Sequence, residues 1–462
     1  MLRLSRTRAL AFTATLAVLA AGCGGDDSGS DDTAAATTAA AATTAAAATT
    51  APAAATTAAA ATTAPSATTA TGSSAAPGTT AGGSEDGDFF IPEETGAADD
   101  SLDPVRIGFV NQSEGTPSFP GPLAGAQGAV DYINASLGGI DGHPVELVDC
   151  NTGLDPDSNQ QCGQQMVNDD TINVVTTQFV LGSDAFWPVL EQGGLVALEG
   201  TPLNTADYTS SSAIAYTPGG AGIVVGLADY AVRELGATSL TVVAEGNSGG
   251  QAVIDSLKAA PQLEGITIDS VLAGTAETDL AGALQTNDND AYILVTAANT
   301  CTQVANALTQ IGSEKPVLAV SSCGDPAVVS ETDGGVTGWF VGAPSVLVGL
   351  EPPDPELTLF VDTMDAAGLG EEAALTSASQ SFGQLITLWQ IGNTIGADNM
   401  TRDSWREALL GFTGPMFLGP RTLSCPGAVL PALCTTETRI MEINADGTFT
   451  DAVPGPYDAY AD

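Results

Sequence analysis

The sequence predicts an α/β protein of two lobes, each built round a parallel sheet, and three observations carry that prediction. Short apolar strand patterns alternate with helical patterns from residue 105 onward, the arrangement that lays helices over parallel strands. The 462-residue length is too great for one compact core even after a low-complexity stretch is set aside. Hydrophobic residues make up 44% of the chain and charged residues only 14%, enough apolar material for two sizeable cores.

Taken in order, Val105-Arg106-Ile107-Gly108-Phe109-Val110 reads as a buried strand, followed by a turn-rich loop and a helical pattern over 124–135. A strand at 145–148 comes next. Helix and strand then pair over 164–169 with 173–176, 185–192 with 196–198, and 222–235 with 240–243. A helix at 250–260 leads into strands at 266–271, 291–295, 317–320 and 336–341, more than one sheet needs. The Pro-rich stretch 344–355 reads as a crossover, and helices follow at 356–367, 377–396 and 402–410. Strands at 439–443 and 447–449, turning at Asp446-Gly447, close the chain.

The N-terminus points outside the cytoplasm. Arg3, Arg6 and Arg8 precede an apolar run over 9–19 that is too short to span a bilayer. Leu19-Ala20-Ala21-Gly22-Cys23 then resembles a bacterial lipobox, which implies cleavage after residue 22 and lipidation of Cys23. From 33 to 71 the chain repeats TTAAAA blocks broken by Pro52 and Pro65, and a Gly/Ser/acidic stretch runs on through Gly87. Paired threonines and prolines oppose helix and no apolar stripe exists to bury, so residues 23–103 read as a disordered tether open to O-glycosylation. A coil of about 80 residues spans roughly 50 Å.

Charge and cysteines exclude whole classes of function. A net charge of −44, with Lys258 and Lys315 the only lysines, leaves no basic patch, so no nucleic-acid partner is expected. Such acidity keeps a folded body soluble and repels it from anionic surfaces, although an acidic face for a basic ligand stays open. Beyond Cys23, the cysteines fall into three local pairs: Cys150 with Cys162, Cys301 with Cys323, and Cys425 with Cys434. Three short-range disulfides fit an oxidising compartment. There is no CxxC pair, and His143 is the sole histidine, so neither a metal site nor another cofactor is expected.

One motif argues for an enzyme. Gly246-Asn247-Ser248-Gly249-Gly250 fits G-x-S-x-G between a strand and a helix. A serine nucleophile needs a base, yet His143 lies upstream, opposite to hydrolase order. The stretch then reads as a glycine-rich turn, and no enzymatic activity is expected. Asn287-Asp288-Asn289-Asp290 lacks the glycine and distal glutamate of a calcium loop. Trp187, Trp339, Trp389 and Trp405 read as core anchors.

A resemblance now enters, carried by Val105-Arg106-Ile107-Gly108-Phe109-Val110, by Asp131-Tyr132-Ile133-Asn134-Ala135, and by Gly138-Gly139-Ile140-Asp141-Gly142-His143-Pro144-Val145-Glu146-Leu147-Val148. Asp155-Pro156, Ala231-Val232-Arg233-Glu234-Leu235-Gly236-Ala237 and Gly250-Gln251 continue it. Over about residues 104–450 the chain resembles the type I periplasmic binding proteins, in particular the leucine/isoleucine/valine-binding lipoproteins. The resemblance implies two Rossmann-like lobes joined by three hinge crossovers, near Thr217-Pro218, 342–344 and 437–439. Lobe 1 would comprise 104–218 plus 344–438, and lobe 2 would comprise 219–343 plus 439–462. It further implies a monomer that takes an amino acid, amide or similar small polar solute into the cleft and delivers it to an ABC permease. A sensing receptor of the same fold that signals to a membrane partner is the alternative.

In an open parallel sheet the crevice lies beyond the carboxyl ends of the strands. The resemblance puts Ser183, in Gly182-Ser183-Asp184, against a ligand carboxylate, although Ser183 or Asp184 could equally cap a helix. It places Thr201 near a ligand's amino end. On the opposite lobe it points to Asn247, the Asn299-Thr300 loop and Asp325, the last a partner for an ammonium group; each is equally a turn residue type. Gly249-Gly250 stands where many members carry Tyr-Gly, and Glu114-Gly115 replaces a small-residue stretch, placing a carboxylate at the cleft mouth or on a solvated loop. Both departures argue against assuming an aliphatic amino acid.

Overall fold

The computed structural model describes residues 89–460 except 116, 247, 275–278, 288 and 428, and gives only the backbone of 248 and 249. The expected signal peptide, Cys23 and most of the tether lie outside the described residues, as does Asn247.

The first half alternates β1 (Val105–Asn111), α1 (Gly121–Ser136), β2 (Val145–Asn151), α2 (Pro156–Asn168), β3 (Ile172–Thr177), α3 (Trp187–Gly193), β4 (Val196–Glu199), α4 (Thr205–Thr209) and β5 (Ala213–Ala215). The pattern repeats as α5 (Gly219–Arg233), β6 (Ser239–Glu245), α6 (Ser248–Ala259), β7 (Thr267–Ala273), α7 (Leu280–Thr286), β8 (Ala291–Val295), α8 (Ala298–Ile311), β9 (Val317–Val320), α9 (Pro326–Glu331) and β10 (Phe340–Ala343). Four helices follow: α10 (Pro355–Ala366), α11 (Gly370–Ala373), α12 (Ala378–Ile395) and α13 (Arg402–Gly411). The chain then ends in β11 (Glu437–Ile443), β12 (Phe449–Asp451) and β13 (Tyr457–Asp458).

These strands form two sheets. The first runs β2-β1-β3-β4-β5, all parallel. The second runs β12-β11-β10-β9-β8-β6-β7, in which β6 to β10 are parallel and β11 returns antiparallel beside β10. Read along the chain, both parallel cores share one order, the second strand outside the first and the third to fifth on its other side. Each core therefore reverses direction beside its first strand, which opens a crevice at the carboxyl ends.

Burial on both faces explains why the strands are almost continuously apolar. Ile107 and Phe109 pack with Ala126, Ala129 and Ile133 of α1, whereas Val110 joins Met166 and Trp187 on the opposite face. Helix α12 comes back from the C-terminal half to lie along α1. Its approach is close enough that a Cβ at Gly125 would strike the Ala378 carbonyl, so the small residues of α1 are a packing requirement. Caps mark several helix starts: Asp155 accepts from the Ser158 amide (2.8 Å) before Pro156, and Asp354 from the Leu357 amide (2.7 Å) before Pro355.

The structure forms the disulfides Cys150–Cys162, Cys301–Cys323 and Cys425–Cys434. The first ties β2 to α2. The second joins the first turn of α8 to the segment after β9, and the third closes a hairpin whose Leu433 bridges to Ala215 on the edge of the first sheet.

Three expectations need correction. The strand placed at 336–341 lies at Phe340–Ala343, because residues 332–338 form turns with Gly334 and Gly338 at positive φ. Asn299 and Thr300 are not a loop but the first turn of α8, a helix whose small polar residues hide its apolar stripe. The tether does not run to residue 103: the Thr95 and Gly96 amides donate to the Ser136 carbonyl, and the Ala98 amide to the Asn134 carbonyl. Residues from Phe89 onward thus belong to the packed body.

Candidate functional site

Strand order places the functional ground at the carboxyl ends of β1 and β3 in one lobe and of β6 and β8 in the other. In the first lobe, Asn111 is fully buried and holds the two strand ends together. Its amide donates to the Phe119 carbonyl (2.7 Å) and to Ser113 Oγ (2.9 Å), and its oxygen accepts from the Phe179 amide (3.1 Å). Phe119 and Phe179 stack with ring centres 4.0 Å apart. In the second lobe, Glu245 Oε1 accepts the Ala297 amide (2.9 Å), which links the ends of β6 and β8.

Helix α12 carries the first lobe towards the second. Gln380 donates to the Gly200 carbonyl, Thr201 Oγ1 donates to Gln380 Oε1 (3.5 Å), and the Gln178 amide donates to Gln384. One turn earlier, Thr376 Oγ1 donates to Asp325, which follows the short 3-10 turn after β9 and immediately precedes α9, a hydrogen bond that joins the lobes. Between them lies a cavity of about 390 Å³. Ser321 and Asp325 line it from the turn between β9 and α9, Leu347 from the crossover after β10, Thr376 and Ser379 from the first lobe, and Phe449 from the β11–β12 hairpin. Among the described residues its lining holds two carboxylates, Asp325 and Asp446, and no lysine or arginine. Burial pushes the Asp325 carboxyl up to about 6, against the lowering effect of Thr376.

Behind the Gly200-Thr201 loop stands a second pair of acids. Asp207 accepts the Trp187 indole N–H (2.7 Å) and the amides of Leu203 (2.8 Å) and Asn204 (2.7 Å). Asn204 in turn donates to Ser183 Oγ (3.1 Å), so one buried carboxylate fixes both loops that were expected to meet a ligand. Glu199 is 1% exposed, and both its oxygens lack a hydrogen-bond partner among the described residues. Burial, with Asp207 nearby, raises its pKa well above the usual carboxylate range. A group raised in the folded state contributes its full stability below the unfolded pKa and loses it as pH rises through the folded one. Glu199→Gln therefore stabilises the protein by about 1–2 kcal/mol at pH 8 and leaves it near wild type at pH 4. Melting curves at the two pH values read this difference, and equal shifts at both would count against it.

The expected site residues divide. Asp325 lines the cavity, and Thr201 lies against α12. Ser183 is fully buried, with its hydroxyl engaged by Asn204. Asp184 is exposed in a short 3-10 turn whose cap is Gly182, with no side-chain cap, so neither Ser183 nor Asp184 acts as the N-cap. Glu114 is exposed at the loop after β1, where its amide donates to Asn151 (2.9 Å), and Asn299 is exposed on α8. His143 bonds the Asp103 carbonyl (2.7 Å) in the first lobe, whereas Ser248 opens α6 in the second. Sequence reasoning missed Asn111, Gln178, Glu245, Thr376 and Gln380. The strand-end position signalled the first three, while the α12 residues became visible only once α12 was packed on α1. Among the described residues no group of His, Cys, Asp and Glu could hold a metal ion.

A family profile described as periplasmic binding protein matches residues 104–448. The fold is shared with a branched-chain amino acid ABC transporter protein from Thermus thermophilus, solved with valine, at 13% identity over 77% of this chain and 97% of that one (TM-score 0.65). A fatty acid ABC transporter substrate-binding protein from Thermomonospora curvata aligns at 13% identity over 79% and 95% (TM-score 0.65). A solute-binding protein from R. palustris, solved with benzoate, aligns at 13% over 77% and 97% (TM-score 0.62). A search of curated proteins returns no match.

Proposed function

The chain belongs to the periplasmic binding protein family, and on that premise we propose that it captures a small polar solute between its lobes and presents it to an ABC permease. The cavity carries this reading: it lies where the lobes meet, its volume of about 390 Å³ suits a small metabolite, and carboxylates are the only charged groups among the described residues that line it. Such a lining favours a solute that offers a positive or hydrogen-bond-donating group to Asp325, with Leu347 and Phe449 against its apolar part. Thr201 and Ser183 do not line this cavity; Thr201 bonds Gln380 of α12 and Ser183 is held by Asn204, so both are read as supports of the first-lobe loops and not as solute contacts. Asn299, Asp184 and Glu114 are exposed and do not line the cavity, so they are left without a role in holding the solute. Cys23, lipidated after signal cleavage, would hold the body at the outer face of the membrane as a monomer, a setting consistent with the three disulfides.

A thermal-shift panel of amino acids, amides, polyamines and urea tests the reading. A solute at about 100 times its dissociation constant adds about 2.7 kcal/mol to the stability of the folded state. An amine-bearing compound is expected to give the largest rise in Tm. If only anionic compounds raise it, the assignment of Asp325 to solute recognition is wrong.

A further inference from the structure

The segment ahead of β1 ends on the hinge. Glu356, at the start of α10, is fully buried. Its carboxylate accepts the Phe90 amide (2.6 Å), the Leu418 amide (2.6 Å) and the Arg421 guanidinium (2.7 Å). The guanidinium carbon of Arg421 also lies 4.8 Å from the centre of the Phe89 ring. Both 418 and 421 belong to the stretch that leads into the last crossover, and the Val346 amide of the preceding crossover donates to the Leu418 carbonyl (3.2 Å). Arg421 and Glu437, the first residue of β11 in the second sheet, line one small cleft, where burial raises the Glu437 carboxyl and the neighbouring Arg421 lowers it. One arginine thus contacts the first lobe and the incoming N-terminal segment and faces the second lobe where the chain passes between sheets.

We propose that Phe89 and Phe90 are positioning residues for the hinge: by covering Arg421 and satisfying Glu356 they bias the angle between the lobes, so that the packed segment ahead of β1 is coupled to cleft closure. The proposal rests on the reading that the lobes move about these crossovers. Phe89 supplies a ring face to a cation, and the Phe90 N–H supplies one of the donors that keep a buried carboxylate paired. Farther along, the Thr95, Gly96 and Ala98 amides bind the end of α1, which fixes the segment to the first lobe. Any bias it exerts at Arg421 is therefore exerted against the second lobe.

The test measures interlobe distances in the full chain, with spin labels at Asp157 on α2 and Asp255 on α6 introduced by non-cysteine chemistry. Phe89→Ala removes the ring. Phe90→Pro removes the amide donor, and Ile91→Ala, at an exposed neighbour, serves as the control. The share of the dominant distance is expected to fall about threefold in each of the first two variants and to hold in the control. A purely structural role would lower Tm and leave the distribution as in wild type, which would overturn the proposal. A spread of distances in wild type that neither variant alters would overturn it while leaving lobe motion standing. A single sharp distance shared by all the proteins would overturn both readings.

Discussion

Replacing Glu356 by alanine is expected to lower the unfolding free energy by about 3–5 kcal/mol, the cost of removing one partner of a buried ion pair. The side chain is fully buried and serves three donors from two separate stretches of chain, Phe90 from one and Leu418 and Arg421 from the other. Its loss strands a guanidinium that is itself only 20% exposed, together with two amides. Burial raises the Glu356 carboxyl, and Arg421 pulls it back down. Glu356→Gln keeps the shape and one acceptor but gives up the charge pair, so it is expected to fall between alanine and wild type. Urea titrations followed by tryptophan fluorescence rank the three. An alanine variant as stable as wild type would show that the hinge does not depend on this cluster.

The other large effect concerns binding. Asp325→Ala is expected to weaken the best amine-bearing solute about 100-fold, because a charge-assisted contact inside a partly desolvated cavity is lost. Asp325→Asn keeps the acceptor oxygen without the charge and is expected to lose less. Since the Asp325 carboxyl is pushed up to about 6, wild-type affinity for a cationic solute holds above pH 7 and falls about tenfold per unit well below 6. Isothermal titration at pH 7.5 and pH 5 gives both comparisons. Unchanged affinity in Asp325→Ala would move the solute elsewhere in the molecule.

The double sheet was legible in the sequence because parallel strands buried on both faces write themselves as apolar runs; Val105 to Val110 and Ala291 to Val295 leave little other choice. The segments that escaped were short or polar. Helix α4 spans Thr205–Thr209 and β5 only Ala213–Ala215, too few residues to show a period. Helix α8 hides its stripe behind Asn, Thr and Gln. The cysteine pairs were legible as near neighbours in the sequence, closing loops of 12, 22 and 9 residues, while Asp325, expected at a strand end, lies past a 3-10 turn and lines the cavity. By contrast, the contacts of α12 join positions some 180 to 208 residues apart, and the Phe90–Glu356 bond spans 266. No local pattern encodes such pairs, because they follow from lobes assembled out of separate stretches of chain.

A solute captured between the lobes draws them together, which the α2-to-α6 label distance reads with and without whichever solute raises the wild-type Tm most. Saturating solute should shift the population to the shorter distance, and Asp325→Ala should show no shift at the same concentration. A solute that raises Tm while the distance stays where it was would contradict the account.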